Sequence, residues 1–384
     1  MEFYHFSETA YPFIDLENLE GVRVDLPNSN YDPVKGADLY HARFDEWGIC
    51  DEVGINIMLN EHHQTTTCLT PAIVVTASAL ARQTKNVRIL ELGNPIANRR
   101  DPVRVAEETS MVDVISRGRL DCGFVRGVPM EIAPSNNNPT QSQARFWEAH
   151  DLIKKAWTTH DGPFRWEGKF FNYRQVNVWP RPYQQPHPPI WITTSTLGNA
   201  EEIGRHGYVC ATFLVGTVMA RKIFDAYRKG YRETFGREPT ADRFAYLAFG
   251  HVGDTDEAAR GPAEKLLWYI KAGKQKPQWA TPPGYMPAEV MVSLAGGERT
   301  AAVRRVDLDF QIAHGNMFCG NADTVVKQIK AFHEGVGGVG SMLLMGQAGF
   351  METPEVSGHL RRLAKDVVPQ LKNIATPATQ AAAE

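Results

Sequence analysis

The sequence predicts a (β/α)8 barrel, a single α/β domain with an insertion before its last strand, and two observations carry that prediction. Eight short apolar runs alternate along the chain with longer amphipathic stretches, the rhythm of strand–helix repeats. The runs themselves, such as VGINIML and VRILEL, are nearly continuous rather than alternating. Strands covered on both faces read this way, as in a parallel sheet wrapped by helices. An open doubly wound sheet with an appended domain is the alternative arrangement of the same repeats.

The strands are expected at Glu2–Phe6, Val53–Leu59, Val87–Leu92, Leu120–Val125, Ile190–Thr194, Val209–Leu214, Phe244–Val252 and Ser341–Met345. Helices are expected at about 34–50, 71–84, 102–116, 141–158, 198–206, 217–235, 254–273 and 321–334, with one more at 354–372. Asp101 before Pro102 is a helix start, because proline has no amide to satisfy and an acid caps those that do. Asn321 and Asp323 open a helix whose apolar face holds Val325, Val326, Ile329 and Phe332. Pro354 opens the last helix.

Two stretches interrupt the rhythm. Phe164 to Pro189 reads as a hairpin followed by a proline-rich return to the fifth strand. Residues 274–312 form the insertion, with three prolines around Tyr285, Trp268 just before it, Trp279 within it, and Arg304 and Arg305 near its end. A long segment at one end of a barrel is expected to serve as a lid or substrate wall. The barrel is expected to occupy residues 1–372, with 373–384 a disordered tail of small and polar residues.

Composition narrows the function. The 384 residues carry a formal charge of -3, which offers no basic stripe for nucleic acid or an anionic membrane. No run of about 18 apolar residues occurs, and the N-terminus lacks the basic and apolar regions of a signal peptide. Cysteines stand singly at 50, 68, 122, 210 and 319, in neither a disulfide nor a zinc pattern. A reducing cytoplasm is the expected compartment.

In a barrel, chemistry sits just past the C-terminal strand ends. Those positions hold Glu61, His62 and His63, then Gly93, Asn94 and Pro95, then Arg126 and Gly127, and then Ser195, Thr196 and Asn199. Ser195 to Asn199 open a helix, so first-turn amides, two hydroxyls and Arg126 could together hold an anion such as phosphate. An ordinary helix cap beside a surface arginine is the competing account. Adjacent histidines do not easily share one metal ion, and no HExxH or third ligand accompanies them, so no metal is expected. A neutral imidazole at the mouth could accept a proton or hold an oxygenated intermediate; it could equally satisfy a loop backbone. GVGGVG at 335–340 fits GxGxxG, but a helix precedes it and a strand follows, the reverse of a dinucleotide site.

Across roughly residues 1–372 the chain resembles the bacterial luciferase-like flavin-dependent monooxygenases. The resemblance lies in NEHHQ, DPVRVAEETSMVDVISRGRLDCGFVRG, WPRPYQQPHPPIWITTSTLGNAEEIGRHGY and FCGNADTVVKQIKAFHEGVGGVGSMLLMG. It implies a barrel binding FMN in its reduced form, FMNH2, supplied by a separate NAD(P)H:flavin reductase. Reaction with O2 would give a flavin C4a-peroxide that hydroxylates a small, partly apolar organic substrate or inserts oxygen in Baeyer–Villiger fashion. It further implies His62, supported by His63, as the catalytic histidine. Flavin contacts would come from Glu61, Gly93 and Asn94, and phosphate contacts from Arg126, Ser195, Thr196 and Asn199. A non-prolyl cis peptide would lie near Gly93–Asn94, and the chain would form a homodimer. Val125 stands where the family has a cysteine, and the 195–199 loop lacks the acid of luciferases proper. Two other functions share this barrel: hydride transfer with the deazaflavin F420, and flavin binding without catalysis.

Overall fold

A computed structural model describes residues 1–14, 26–128, 131–271 and 305–374. Most of the expected insertion and nearly all of the expected tail lie outside them.

Eight parallel strands close into a barrel: β1 (Glu2–Ser7), β2 (Asn56–Leu59), β3 (Ile89–Asn94), β4 (Leu120–Phe124), β7 (Ile190–Thr193), β8 (Val209–Phe213), β9 (Phe244–Val252) and β11 (Ser341–Gln347), with β11 pairing back onto β1. The hairpin β5 (Phe164–Glu167) and β6 (Asn172–Val176) stands apart as an antiparallel pair. The chief helices are α1 (Pro33–Val53), α2 (Ile73–Gln83), α3 (Pro102–Ser116), the short α4 (Ile132–Ser135), α5 (Ser142–Thr158), α6 (Leu197–His206), α7 (Gly216–Phe235) and α8 (Asp256–Leu266). After the short α9 (Trp268–Lys271) come α10 (Leu308–His314), α11 (Ala322–Gly335), α12 (Thr353–Arg362) and α13 (Val368–Leu371).

A ninth strand, β10 (Met317–Gly320), is absent from the sequence-based expectation. Phe249 pairs with Met317 on one edge of β9 and with Met345 on the other. The lower half of the first edge belongs to β8, from Cys210 opposite Phe244 to Phe213 opposite Leu247. One barrel position is thus filled by β8 below and β10 above. The second strand is shorter than Val53–Leu59, because α1 runs on to Val53 and Gly54 ends it at φ 80°. The expected 254–273 helix breaks into α8 and α9, and the last helix passes through a π turn at 363–367 before α13.

The local chemistry accounts for these elements. Asp32 caps α1 by accepting from the Val34 and Lys35 amides, with Pro33 in the first turn. Asp101 caps α3 through Arg104, and Asn321 caps α11 through Thr324. Val325, Val326, Ile329 and Phe332 are all buried, as their spacing requires. Inside the barrel, Arg88 grips Asp121 through two 2.7 Å hydrogen bonds, and Tyr4 donates to the same carboxylate at 3.5 Å. This pair closes the lower end, and a buried charge is tolerated there because it is doubly bonded. Above it Phe6, Met58, Leu92, Leu247 and Leu343 line a space open toward the strand C-terminal ends.

The turn from α2 into β3 depends on Asp51, whose carboxylate accepts from the Lys85, Asn86 and Val87 amides at 2.8–3.1 Å. Partial burial would raise this carboxyl, but the three amides outweigh it and hold it below the ordinary aspartate value. A depressed acid stabilises the fold above its unfolded pKa, and that contribution is lost as pH falls through its folded value. Asp51→Ala is therefore expected to cost about 1–3 kcal/mol at pH 7 in urea unfolding, with the gap to wild type closing below about pH 4. Equal stability at pH 7 would show that the amides do not need the carboxylate.

Candidate active site at the barrel mouth

A cavity of about 440 Å³ opens at the C-terminal ends of the strands. Of the residues expected there, Glu61, His62, Gly93, Arg126, Ser195, Thr196 and Asn199 line it, while His63 and Asn94 do not.

Glu61 is buried, and partners hold both its carboxylate oxygens. Oε2 accepts from the Ile73 amide at 3.0 Å, in the first turn of α2, and from Arg99 Nη2 at 2.7 Å. Oε1 meets His63 Nε2 at 2.9 Å. With both oxygens held, this carboxylate anchors the loop. His63 sits on the rim with its ring turned to Glu61, so it supports the site and does not face it. His62 points the other way, lines the cavity, and places Nδ1 2.9 Å from Glu131 Oε1. Glu131 also accepts from the Val128 amide. A carboxylate on Nδ1 fixes that nitrogen as the proton carrier, leaving Nε2 on the opposite ring edge as the acceptor.

The non-prolyl cis peptide lies one bond earlier than expected, at Leu92–Gly93. A Cβ on Gly93 would stand 2.0 Å from Val125 Cγ1, so this strand end admits no side chain. Asn94 is buried behind it. Its side-chain oxygen accepts from Arg99 Nε at 3.4 Å, and its carbonyl accepts from the Val125 amide at 2.9 Å.

The anion end gathers three elements. Thr196 is the N-cap of α6 but makes no side-chain cap, and its own amide donates to Thr194 Oγ1 at 3.2 Å. The first-turn amides of α6 have no intrahelical acceptor. Gln143, at the start of α5, donates through Nε2 to Asn199 Oδ1 at 2.9 Å and accepts from Arg126 Nη1 at 3.4 Å. Arg126 forms no ion pair among the described residues. A guanidinium without a carboxylate, beside an uncapped helix N-terminus, suits a phosphate.

Sequence reasoning missed Glu8, Glu131, Gln143, Thr194 and Thr212 as lining residues. Glu131, an acid five residues beyond Arg126, could have been suspected. Gln143 carries no motif, and only folding brings it between Arg126 and Asn199.

An α/β barrel whose mouth sets a guanidinium and an uncapped helix N-terminus beside a carboxylate-held imidazole is the class of protein that fold and site define. Residues 51–337 match the family of luciferase-like monooxygenases, and the chain belongs to that family. It is 32% identical over 173 residues to the oxygenase component of the flavin-dependent trigonelline monooxygenase of Acinetobacter baylyi, covering 44% of this chain and 47% of that protein. It is 24% identical over 350 residues to 2,5-diketocamphane 1,2-monooxygenase 2 of Pseudomonas putida, covering 84% of this chain and 92% of that one. The chain spans about half the length of several curated relatives it matches, the trigonelline enzyme among them. The oxygenating constituent of 3,6-diketocamphane monooxygenase from Pseudomonas putida, a type II Baeyer–Villiger monooxygenase solved with FMN, superimposes with a TM-score of 0.72 at 20% identity. That match covers 98% of this chain and 99% of the other, and it shows a shared fold. Among the described residues no helix is long and apolar enough to cross a membrane.

On the outer face of β3, Glu91 lies one layer below Glu61, opposite Leu59 in the register. It is fully buried, and neither of its oxygens has a partner among the described residues. Burial first, and then the charges of Glu61 and Glu108, push its carboxyl up to about 8. The folded protein then holds a proton that the unfolded chain releases, so stability falls as pH rises from about 4.5 to 8. Glu91→Gln is expected to flatten that slope and raise Tm at pH 8, read by thermal unfolding across the range. An unchanged slope would place the proton elsewhere.

Proposed function

We propose that the chain is the oxygenase of a two-component flavin monooxygenase, binding reduced FMN from a separate NAD(P)H:flavin reductase and oxygenating a small, partly apolar organic substrate. The observation that carries this is the Arg126–Gln143–Asn199 chain at the head of α6, facing the same cavity as His62. Family membership and the flavin dependence named for the Acinetobacter relative support it.

The residues fit FMN. Arg126, the α6 amides and the loop hydroxyls take the phosphate, and Gly93 and Val125, packed together at the β3 and β4 ends, form the wall for a flat ring. Reduced FMN supplies the two electrons by which one atom of O2 enters the substrate and the other leaves as water. His62 holds a proton on Nδ1 toward Glu131 and presents Nε2 as the acceptor for a proton leaving the reacting atoms. Phe6, Met58, Leu92, Leu247 and Leu343 keep water from the floor. A homodimer through α2 and α3 is part of the proposal: Val75, Met111, Val114 and Ile115 leave these two helices apolar and exposed.

Purified protein with NADH alone should oxidise nothing; adding FMN and a flavin reductase should start oxygenation. Failure to bind FMNH2 in an anaerobic titration would refute the proposal, and binding of F420 instead, with hydride transfer independent of O2, would replace it. Arg126→Ala should weaken FMN by about tenfold to a hundredfold while leaving riboflavin, which lacks the phosphate, nearly unaffected. Equal weakening of both would remove Arg126 from the phosphate site. His62→Ala should lower product formation about a hundredfold or more and divert O2 to H2O2, with flavin affinity preserved. Undiminished coupling in that variant would end the role given to His62. Met111→Asp should shift the sedimentation mass from dimer to monomer.

A further inference from the structure

The proposed flavin chemistry leaves a carboxylate of the cavity unused. Glu8 follows β1, lines the cavity and is 1% exposed. Both its carboxylate oxygens accept from a single donor, Asn60 Nδ2, at 3.2 Å. Asn60 in turn accepts from the Cys68 thiol at 3.5 Å. No lysine, arginine or histidine pairs with Glu8 among the described residues.

Other buried acids of the barrel have a charged counterpart: Asp121 has Arg88, and Glu61 has Arg99 and His63. A carboxylate withdrawn from water with only a neutral amide and the Cys68 thiol beside it is under-compensated. Its direction is fixed by the strand. Phe6 opposes Met58 in the register and both line the cavity. Two residues on, Glu8 and Asn60 therefore face the interior as well, and His62 follows Asn60 on the same side. In the ring of eight strands, β1 lies diametrically across from β7, which carries the Ser195–Asn199 anion loop. A second buried group is also left over: Thr212 lines the cavity, is fully buried, and its hydroxyl has no partner among the described residues.

We propose that Glu8 is the specificity-determining residue of the substrate site and that it selects a substrate bearing a cationic nitrogen, with the Thr212 hydroxyl as a neutral contact. The inference rests on the monooxygenase reading for the location of the flavin, but not for the charge preference. A phosphate end and a carboxylate end on opposite walls leave the cation one place to settle. Asn60 already gives both Glu8 oxygens a neutral donor, so a cation is what the carboxylate lacks among the described residues.

The test uses the full chain, with and without oxidised FMN, and two probes of the same size: benzylamine, protonated at pH 7, and benzyl alcohol, a neutral donor. Calorimetry should show benzylamine binding at least about tenfold more tightly, the fold-change of one charge-assisted hydrogen bond. Glu8→Gln should erase that preference while changing FMN affinity less than about twofold. Equal binding of the probes by the wild type, or binding of neither, overturns the proposal. So does a Glu8→Gln variant that keeps the preference, or one that loses FMN in proportion, which would make Glu8 a flavin contact. If Glu8→Gln fails to fold, loss of the wild-type preference at high ionic strength takes its place, and a salt-insensitive preference overturns the proposal. A cation preference in protein that binds no FMN would sink the flavin assignment and leave this one standing.

Discussion

The mouth of this barrel depends on one buried carboxylate. Glu61 takes charge-assisted hydrogen bonds from Arg99 and His63 and a third from the first turn of α2. Arg99 then reaches Asn94, and the Asn94 carbonyl takes the Val125 amide, one residue before Arg126. The line runs from the end of β2 through β3 to the end of β4. It sets how far His62 stands from Arg126, the two groups assigned to opposite parts of one ligand. A buried charge tolerates little displacement, because losing a partner leaves it uncompensated. That intolerance is what makes Glu61 useful as a fixed point although it contributes no spare oxygen to the site.

Two arginines inside the barrel show how environment assigns roles to one residue type. Arg88 at the lower end is fully engaged by Asp121 and by backbone carbonyls, so it is a plug. Arg126 at the upper end has a glutamine amide for a neighbour and, among the described residues, no carboxylate. Both are guanidinium groups one strand apart. The difference is the acid at position 121, and a cation left unpaired at a helix N-terminus is a receptor for an external anion. His62 and His63 divide in the same way: each has a glutamate, but only the ring held by Glu131 faces the cavity.

Much of this was legible in the sequence, and the failures have physical causes. Continuous apolar runs marked all eight barrel strands, since burial on both faces leaves no polar alternation. Met317–Gly320 escaped because four residues carry too little pattern, and its pairing depends on the upper edge of a strand about 70 residues earlier. The histidine pair and Arg126 stood out because polar groups at strand ends are conspicuous. Glu61 stood out as well, but its partners did not, since a sequence does not say which way a carboxylate turns. Glu131 and Gln143 reach the site from a loop and an outer helix, where neither periodicity nor spacing singles them out. Asn94 and Gly93 are adjacent, yet one is buried behind the wall and the other lines it, a distinction made by the geometry of the β3 end alone.

The same geometry gives the cavity a polarity. Its β4–β7 side carries a guanidinium, helix amides and hydroxyls; its β1–β2 side carries a carboxylate held by an asparagine; leucine, methionine and phenylalanine lie between. In so apolar a space, charges act over longer distances than in water, because little solvent screens them. A ligand that is anionic at one end and cationic at the other would be turned by this field before any close contact forms. Orientation achieved in that way is available to the reaction at no further entropic cost. In the proposed reaction the chain then needs no strong nucleophile at the mouth: placement is what the protein would supply, and the imidazole held by Glu131 would have only a proton to manage.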